Sequence, residues 1–232
     1  MKVQRITVTF ARDDAQKYIT HLDLMRAWER VLRRAKLPVS HSEGFSPRPR
    51  IALAAPLAVG VTSDCELLDV LMEERCTLDD VSQAIDAQLP AGLRLVALRE
   101  TPLGLASLQS LLRAAEYVVE VEDPRPIEDL QAAVVDLLAK EELPWEHQRG
   151  DEVRRYDLRV LIFELSARAL ESGRAQLVMR LRADAQGSGR PEQVTNALGI
   201  AVAPLRIHRT RLDVEQPEIA RTAYRAAGRI VD

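Results

Sequence analysis

The same order of patterned segments runs twice along this chain, and that order limits the fold more than any other feature of the sequence. Gln4-Arg5-Ile6-Thr7-Val8-Thr9-Phe10 alternates, with Ile6, Val8 and Phe10 on one side, as a half-buried strand does. Thr20 followed by Asp23 has the spacing of a capping box. The helix it opens carries Leu24, Trp28, Val31, Leu32 and Ala35 at helical intervals, and Pro38 stops it. Extended structure is expected at residues 51–54 and 66–71. A helix capped by Thr77 then turns Val81, Ile85 and Leu89 inward, and residues 93–98 close the half as a strand.

After a short, mostly apolar connector over residues 103–112, the order recurs. Residues 116–121 alternate as a strand, and residues 126–143 are helical in pattern, with Leu130, Val134, Leu137 and Leu138 as the stripe. Two strands are expected at 156–165 and 176–181, with a turn near Gly173. Pro191 opens a short helix that ends at Gly199, and residues 205–208 begin the last strand. No close sequence repeat accompanies the repeated order. The expectation is an α+β chain of two tandem ferredoxin-like (βαββαβ) domains. They occupy residues 1–102 and 113–215, with 216–232 as a C-terminal tail, a division that suits 232 residues.

Composition removes several classes. With 47% hydrophobic and 29% charged residues the chain has the balance of a globular protein. Cys65 and Cys76 form no close pair, which argues against a disulfide framework, a zinc ribbon or a self-ligated iron–sulfur cluster. No run of about 18 apolar residues offers a membrane span, and Met1-Lys2-Val3-Gln4-Arg5 is unlike a secretory leader. A cytoplasmic protein without a membrane role is expected. The charge is uneven. Residues 1–50 carry 11 basic against 5 acidic side chains, residues 51–150 carry 7 against 19, and residues 151–232 carry 14 against 11. Basic ends around an acidic middle fit either a side facing a polyanion or simple drift on a solvated surface.

Few residues are placed to carry chemistry. His21 and Asp23 are two apart on a helix and do not face each other, so Asp23 reads as a cap. His21, at the first helical position, could meet a phosphate. Arg26, Arg30, Arg33 and Arg34 fall opposite the apolar stripe, where Glu29 could pair with Arg26 or Arg33. In His41-Ser42-Glu43-Gly44-Phe45-Ser46-Pro47-Arg48-Pro49-Arg50 the prolines hold Arg48 and Arg50 extended. Phe45 then suits either a stacked base beside clamped phosphates or a cap on the core. In the second half Tyr156-Asp157-Leu158-Arg159 and Gly187-Ser188-Gly189-Arg190-Pro191-Glu192 stand out. The latter reads as an anion-presenting loop or as a plain turn before a helix. Arg206, His208, Arg209 and Arg211 make the last strand basic. No metal, cofactor, hydrolase or kinase motif is present.

Thr20-His21-Leu22-Asp23-Leu24-Met25-Arg26, Arg33-Arg34-Ala35-Lys36-Leu37-Pro38 and Ser42-Glu43-Gly44-Phe45-Ser46-Pro47-Arg48-Pro49-Arg50-Ile51 resemble the radical SAM-linked proteins of the DUF2344 family. The family pattern there is approximately S-H-L-D-L-M-R, R-R-A-G-L-P and S-Q-G-F-N-P-R-P-K-I. This chain departs at Thr20, Lys36, Ser46 and Arg50. Weaker likeness continues through Ala55-Pro56-Leu57-Ala58-Val59-Gly60, Tyr156-Asp157-Leu158-Arg159 and Gly189-Arg190-Pro191-Glu192, to about residue 215. Members occur fused to, or encoded beside, B12-binding-type radical SAM proteins. The resemblance therefore implies an accessory or substrate-binding module for a radical SAM enzyme, acting on RNA. The chain lacks the Cys-x-x-x-Cys-x-x-Cys motif, so it is not itself the radical SAM catalyst.

Three functions follow as expectations. The first is a non-catalytic RNA-binding module using His21, Arg26, Arg30, Arg33, Arg34, His41, Phe45, Arg48 and Arg50, with Arg159, Arg190 and Arg209 from the second half. The second is an adaptor docking on the radical SAM enzyme through the acidic middle. The third is a nucleotide- or RNA-acting enzyme with His21 or His41 as general acid or base.

Overall fold

Ile6, Val8 and Phe10, the alternating residues of the first strand, are fully buried in the computed structural model, which describes residues 2–150, 152–171 and 173–215. The expected tail, 216–232, lies outside the described residues. The described chain divides into two units, one reaching residue 112 and including 214 and 215, the other spanning 113–213.

The first unit runs β1 (Gln4–Arg12), α1 (His21–Arg34), β2 (Ile51–Leu53), β3 (Val61–Met72), α2 (Leu78–Asp86), β4 (Leu93–Thr101) and α3 (Leu108–Leu111). Its strands lie in the order β4-β1-β3-β2, and each neighbouring pair is antiparallel. Helix α1 contributes Leu24, Trp28 and Val31, and α2 contributes Val81 and Ile85, to the core around Ile6, Val8 and Phe10. Trp28 meets Phe10 edge to face at 4.8 Å between centroids, a contact worth about 0.5–1.5 kcal/mol beyond area burial. Both helices start as their sequences suggest. Thr20 Oγ accepts from the Asp23 amide at 3.2 Å, and Thr77 Oγ accepts from the Asp80 amide at 3.1 Å.

The opposite face of this sheet is polar and buried. Arg5 Nε donates to Asp69 at 2.9 Å and its Nη2 meets the same carboxylate, while the guanidinium also reaches the carbonyls of Leu105 (2.7 Å) and Ala106 (3.0 Å). Thr7 Oγ donates to the second Asp69 oxygen at 2.7 Å. The segment read as a connector, residues 103–112, is thus part of the first unit. Leu108 and Leu111 are buried, and Gln109 donates to the Leu53 carbonyl.

The second unit runs β5 (Leu112–Glu122), α4 (Ile127–Ala139), β6 (Pro144–Arg149), β7 (Glu152–Asp157), a 3-10 turn (Arg159–Leu161), β8 (Ile162–Ala169), β9 (Arg174–Asp184), β10 (Gly187–Ser188), α5 (Pro191–Ala197) and β11 (Arg206–Val214). Strands β11, β5, β9 and β8 are neighbours in that order, and β10 also pairs with β9. Tyr117, Val119 and Val121 of β5 lie across from Met179, Leu177 and Ala175, all buried. One expected strand, 156–165, is corrected. Asp157 accepts from the amides of Leu143 and Arg159, both at 2.8 Å, and this turns the chain between β7 and β8. The helix expected to reach residue 143 stops at Ala139, because Pro144 disfavours helical backbone before it and opens an added hairpin with Trp145 opposite Tyr156. No helix among the described residues is long and apolar enough to cross a membrane.

Helix α1 ends in a Schellman arrangement. Leu37 N donates to Leu32 O at 3.3 Å and Lys36 N to Arg33 O at 3.1 Å, with Lys36 in the left-handed region at φ 54°. A lysine there carries the Cβ clash that glycine avoids, which explains why the related pattern has glycine at this place. Lys36→Gly should therefore raise stability by about 0.5–1 kcal/mol, read as a higher denaturant midpoint with an unchanged slope. A lowered midpoint would contradict the left-handed assignment.

Candidate nucleic-acid interface

Because α1 buries Leu24, Ala27, Trp28, Val31 and Leu32, its remaining arc must face water, and Arg26, Arg30, Arg33 and Arg34 are all exposed on it. The expected pairing with Glu29 does not form among the described residues. Arg26 instead reaches Asp23 at 3.4 Å. Asp23 also accepts from the Thr20 hydroxyl at 2.7 Å, and that bond, with Arg26 nearby, holds its carboxyl below the usual range. No hydrogen bond or ion pair engages the guanidinium groups of Arg30, Arg33 or Arg34 among the described residues. Arg33 and Arg34 sit in the last helical turn, where positive charge complements the helix dipole. Their placement therefore suits the helix as well as a ligand.

The second candidate element, the loop His41 to Arg50, begins seven residues past α1's last residue, Arg34. Ser40 N donates to Leu71 O at 2.7 Å and Leu71 N to Arg50 O at 3.1 Å, so the base of the loop is fastened to the end of β3. His41 and Pro49 form a bridge. Above it Ser42 N donates to Arg48 O at 2.9 Å, and Arg48 N donates to Ser42 Oγ at 3.0 Å. Gly44 takes φ 120° at the tip, a conformation that only glycine adopts readily. Phe45, next to it, is fully exposed at 110% of its reference area. That decides between the two readings of Phe45: it does not cap the core. Arg48 points into solvent without an ion pair among the described residues, whereas Arg50 donates from Nε to His41 O at 3.1 Å.

His21 and His41 are both exposed, and neither side chain meets a carboxylate among the described residues. His21 opens α1, while Arg33 and Arg34 close it about 20 Å away along the axis. The exposed groups are a basic arc along α1 and, further along the chain, a loop that carries Phe45 and Arg48. It offers guanidinium groups to phosphates and one ring face to a base. No group of His, Cys, Asp and Glu is placed to hold a metal ion among the described residues.

The second-unit candidates divide differently. Arg159 is spent on structure, since Nε and Nη2 donate to Leu138 O at 3.1 and 3.0 Å and Nη1 to Ile162 O at 2.8 Å. It ties the end of α4 to β8, and this accounts for the Tyr156-Asp157-Leu158-Arg159 motif. Arg209 is 2% exposed and so does not face solvent. Both are corrections to the expected interface. Arg190 is exposed before α5, a helix of 7 residues without a side-chain cap. The glycine-rich loop ahead of it serves packing, because a Cβ on Gly189 would lie 3.1 Å from Leu161 O and from Leu181 Cβ. Elsewhere on β11 the basic residues are balanced. Arg211 meets Asp213 at 2.6 Å and Glu116 at 3.4 Å, and Arg206 meets Glu120 at 3.9 Å.

No curated protein matches this sequence. Among solved structures, a chain in the crystal structure of a Cbf5–Nop10–Gar1 complex matches at 11% identity with a TM-score of 0.51, over 92% of this chain and 50% of that one. A chain of the archaeal box H/ACA sRNP Nop10–Cbf5 complex matches at 12% identity with a TM-score of 0.46, over 92% and 50%. A chain of an H/ACA RNP bound to a substrate RNA containing 2′-deoxyuridine matches at 14% identity with a TM-score of 0.42, over 88% and 47%. This chain therefore spans about half the length of the solved chains it matches, and at 11% identity the likeness to the first of them is one of fold alone. At the level of family the match is firmer: the model of DUF2344, an uncharacterised protein conserved in bacteria, covers residues 5–191, and the chain belongs to that family.

Proposed function

We propose that this chain is a non-catalytic RNA-binding module that works beside a radical SAM protein in the cytoplasm. The observation that carries the RNA reading is the exposed arginine arc of α1 with the fully exposed Phe45 at the tip of the loop that follows it in the chain. Phosphates neutralised by Arg30, Arg33, Arg34 and Arg48 supply affinity, and Phe45 stacks on an unpaired base. The radical SAM partner comes from the resemblance of the Thr20–Arg26, 33–38 and 42–51 segments. Two tandem ferredoxin-like domains, 1–102 and 113–215, form the scaffold in this proposal. The strand orders β4-β1-β3-β2 and β11-β5-β9-β8 support it. Catalysis by His21 or His41 has no comparable support, as neither side chain meets a carboxylate that would orient it among the described residues.

Two measurements test the reading. Replacing Arg30 and Arg34 together by Gln should weaken binding of a single-stranded RNA almost regardless of its sequence. The salt dependence should flatten by about 0.7 in log–log slope for each phosphate that is no longer neutralised. Unchanged affinity and slope would remove α1 from the interface. Phe45→Ala should weaken RNA binding by about 1–3 kcal/mol while thermal stability stays as it was, because the ring touches no core. A drop in melting temperature with normal affinity would show the ring to be structural after all.

A further inference from the structure

The first unit's sheet stops at β4, whose inner edge pairs with β1 and whose outer edge meets no strand among the described residues. Exposed edges are normally short or guarded by Pro, charged side chains or bulges. β4 has 9 residues and no Pro or Lys, its charged side chains are Arg94, Arg99 and Glu100, and Val96 is 45% exposed on it. A groove of about 1140 Å³ runs beside this edge. One wall is acidic. Helix α2 lends it Asp79, Ser82 and Asp86, and Glu100 adds a carboxylate from the same side, since it lies opposite Ile6 on the helix-bearing face. The basic group there, Arg75, is already paired with Glu100 at 3.2 Å. The other wall is mainly aliphatic, built from Leu103, Leu105, Leu108 and Leu111 of the segment that Arg5 holds down, with Arg99 of β4 on the same side as Thr7.

We propose that this groove binds an extended segment of a partner protein, which adds a strand to β4 and alternates basic with aliphatic side chains. A strand turns successive side chains to opposite sides. A segment seated on β4 would therefore send one set toward Asp79 and Asp86 and the other toward the leucines. The backbone groups on β4's free edge supply affinity, and the two unlike walls supply selectivity. Nucleic acid does not fit, because the α2 wall repels phosphate. A second copy fits poorly, because two-fold pairing through β4 would set the acidic α2 against itself. The site uses none of the arginine surface of α1, so the two readings stand or fall separately.

The test uses the full chain and a fluorescein-labelled eight-residue peptide alternating Arg and Val, against a control of the same composition with the four Arg and four Val in separate blocks. Anisotropy should show the alternating peptide binding at least about tenfold more tightly, with the paired Asp79→Asn and Asp86→Asn variant losing most of that preference. Circular dichroism confirms that the variant folds. Hydrogen exchange on the unmodified protein should slow at β4 amides when the peptide is bound. Equal affinity for the two peptides would overturn the proposal, as would an unchanged preference in the variant, or no slowing in β4. A dimer in sedimentation that the peptide fails to dissociate would also overturn it, in favour of a second copy.

Discussion

Arg5 and Asp69 are buried on the back of the first sheet, and most of the first unit's layout answers to them. Taking both charges out of water costs several kcal/mol per ion, recovered only where every remaining donor and acceptor is met. Thr7 meets one free oxygen of Asp69, and the carbonyls of Leu105 and Ala106 meet the free guanidinium nitrogens. Those carbonyls belong to residues 103–112, so this segment must lie across the polar face and bring Leu108 and Leu111 with it. With α1 and α2 on one face and this segment on the other, the outer arc of α1 and the free edge of β4 are among the surfaces that face water.

These two surfaces have opposite chemistry. The α1 arc carries four arginines, and only Arg26 is paired among the described residues. The wall of the β4 groove carries Asp79, Asp86 and Glu100. A polyanion and a basic peptide would therefore not compete for the same place. Phe45 sharpens the first surface. A ring left in water forgoes about 1.5–3 kcal/mol of burial, yet Gly44 and the paired base of the loop hold it there. An aromatic kept exposed on a braced loop that also exposes Arg48 suits stacking on a base.

The parts of this protein that sequence reveals are those governed by local rules. The cap at Thr20, the stripe from Leu24 to Leu32 and the break at Pro38 follow from helical periodicity and capping, and α1 spans His21–Arg34 accordingly. The β6–β7 hairpin was hidden because its strands have no buried apolar face, β7 being exposed or half-exposed throughout. The role of residues 103–112 was hidden for another reason, since Arg5 and Asp69 are 64 positions apart and no periodicity links them. Arg159 and Arg209 show the same limit at the candidate site. An arginine that clamps carbonyls and one that greets a phosphate are the same letter, and only Leu138 O and Ile162 O tell them apart.

The central claim is that the α1 arc and the loop after it face RNA, and photochemical crosslinking reads this directly. Single-stranded RNA bound to the full chain and irradiated should yield nucleotide adducts on peptides from residues 39–50, with Phe45 as the modified residue. The ring is the exposed aromatic in that loop, and the proposed interface stacks it on a base. Adducts confined to the second unit, from an RNA that still binds tightly, would contradict the account.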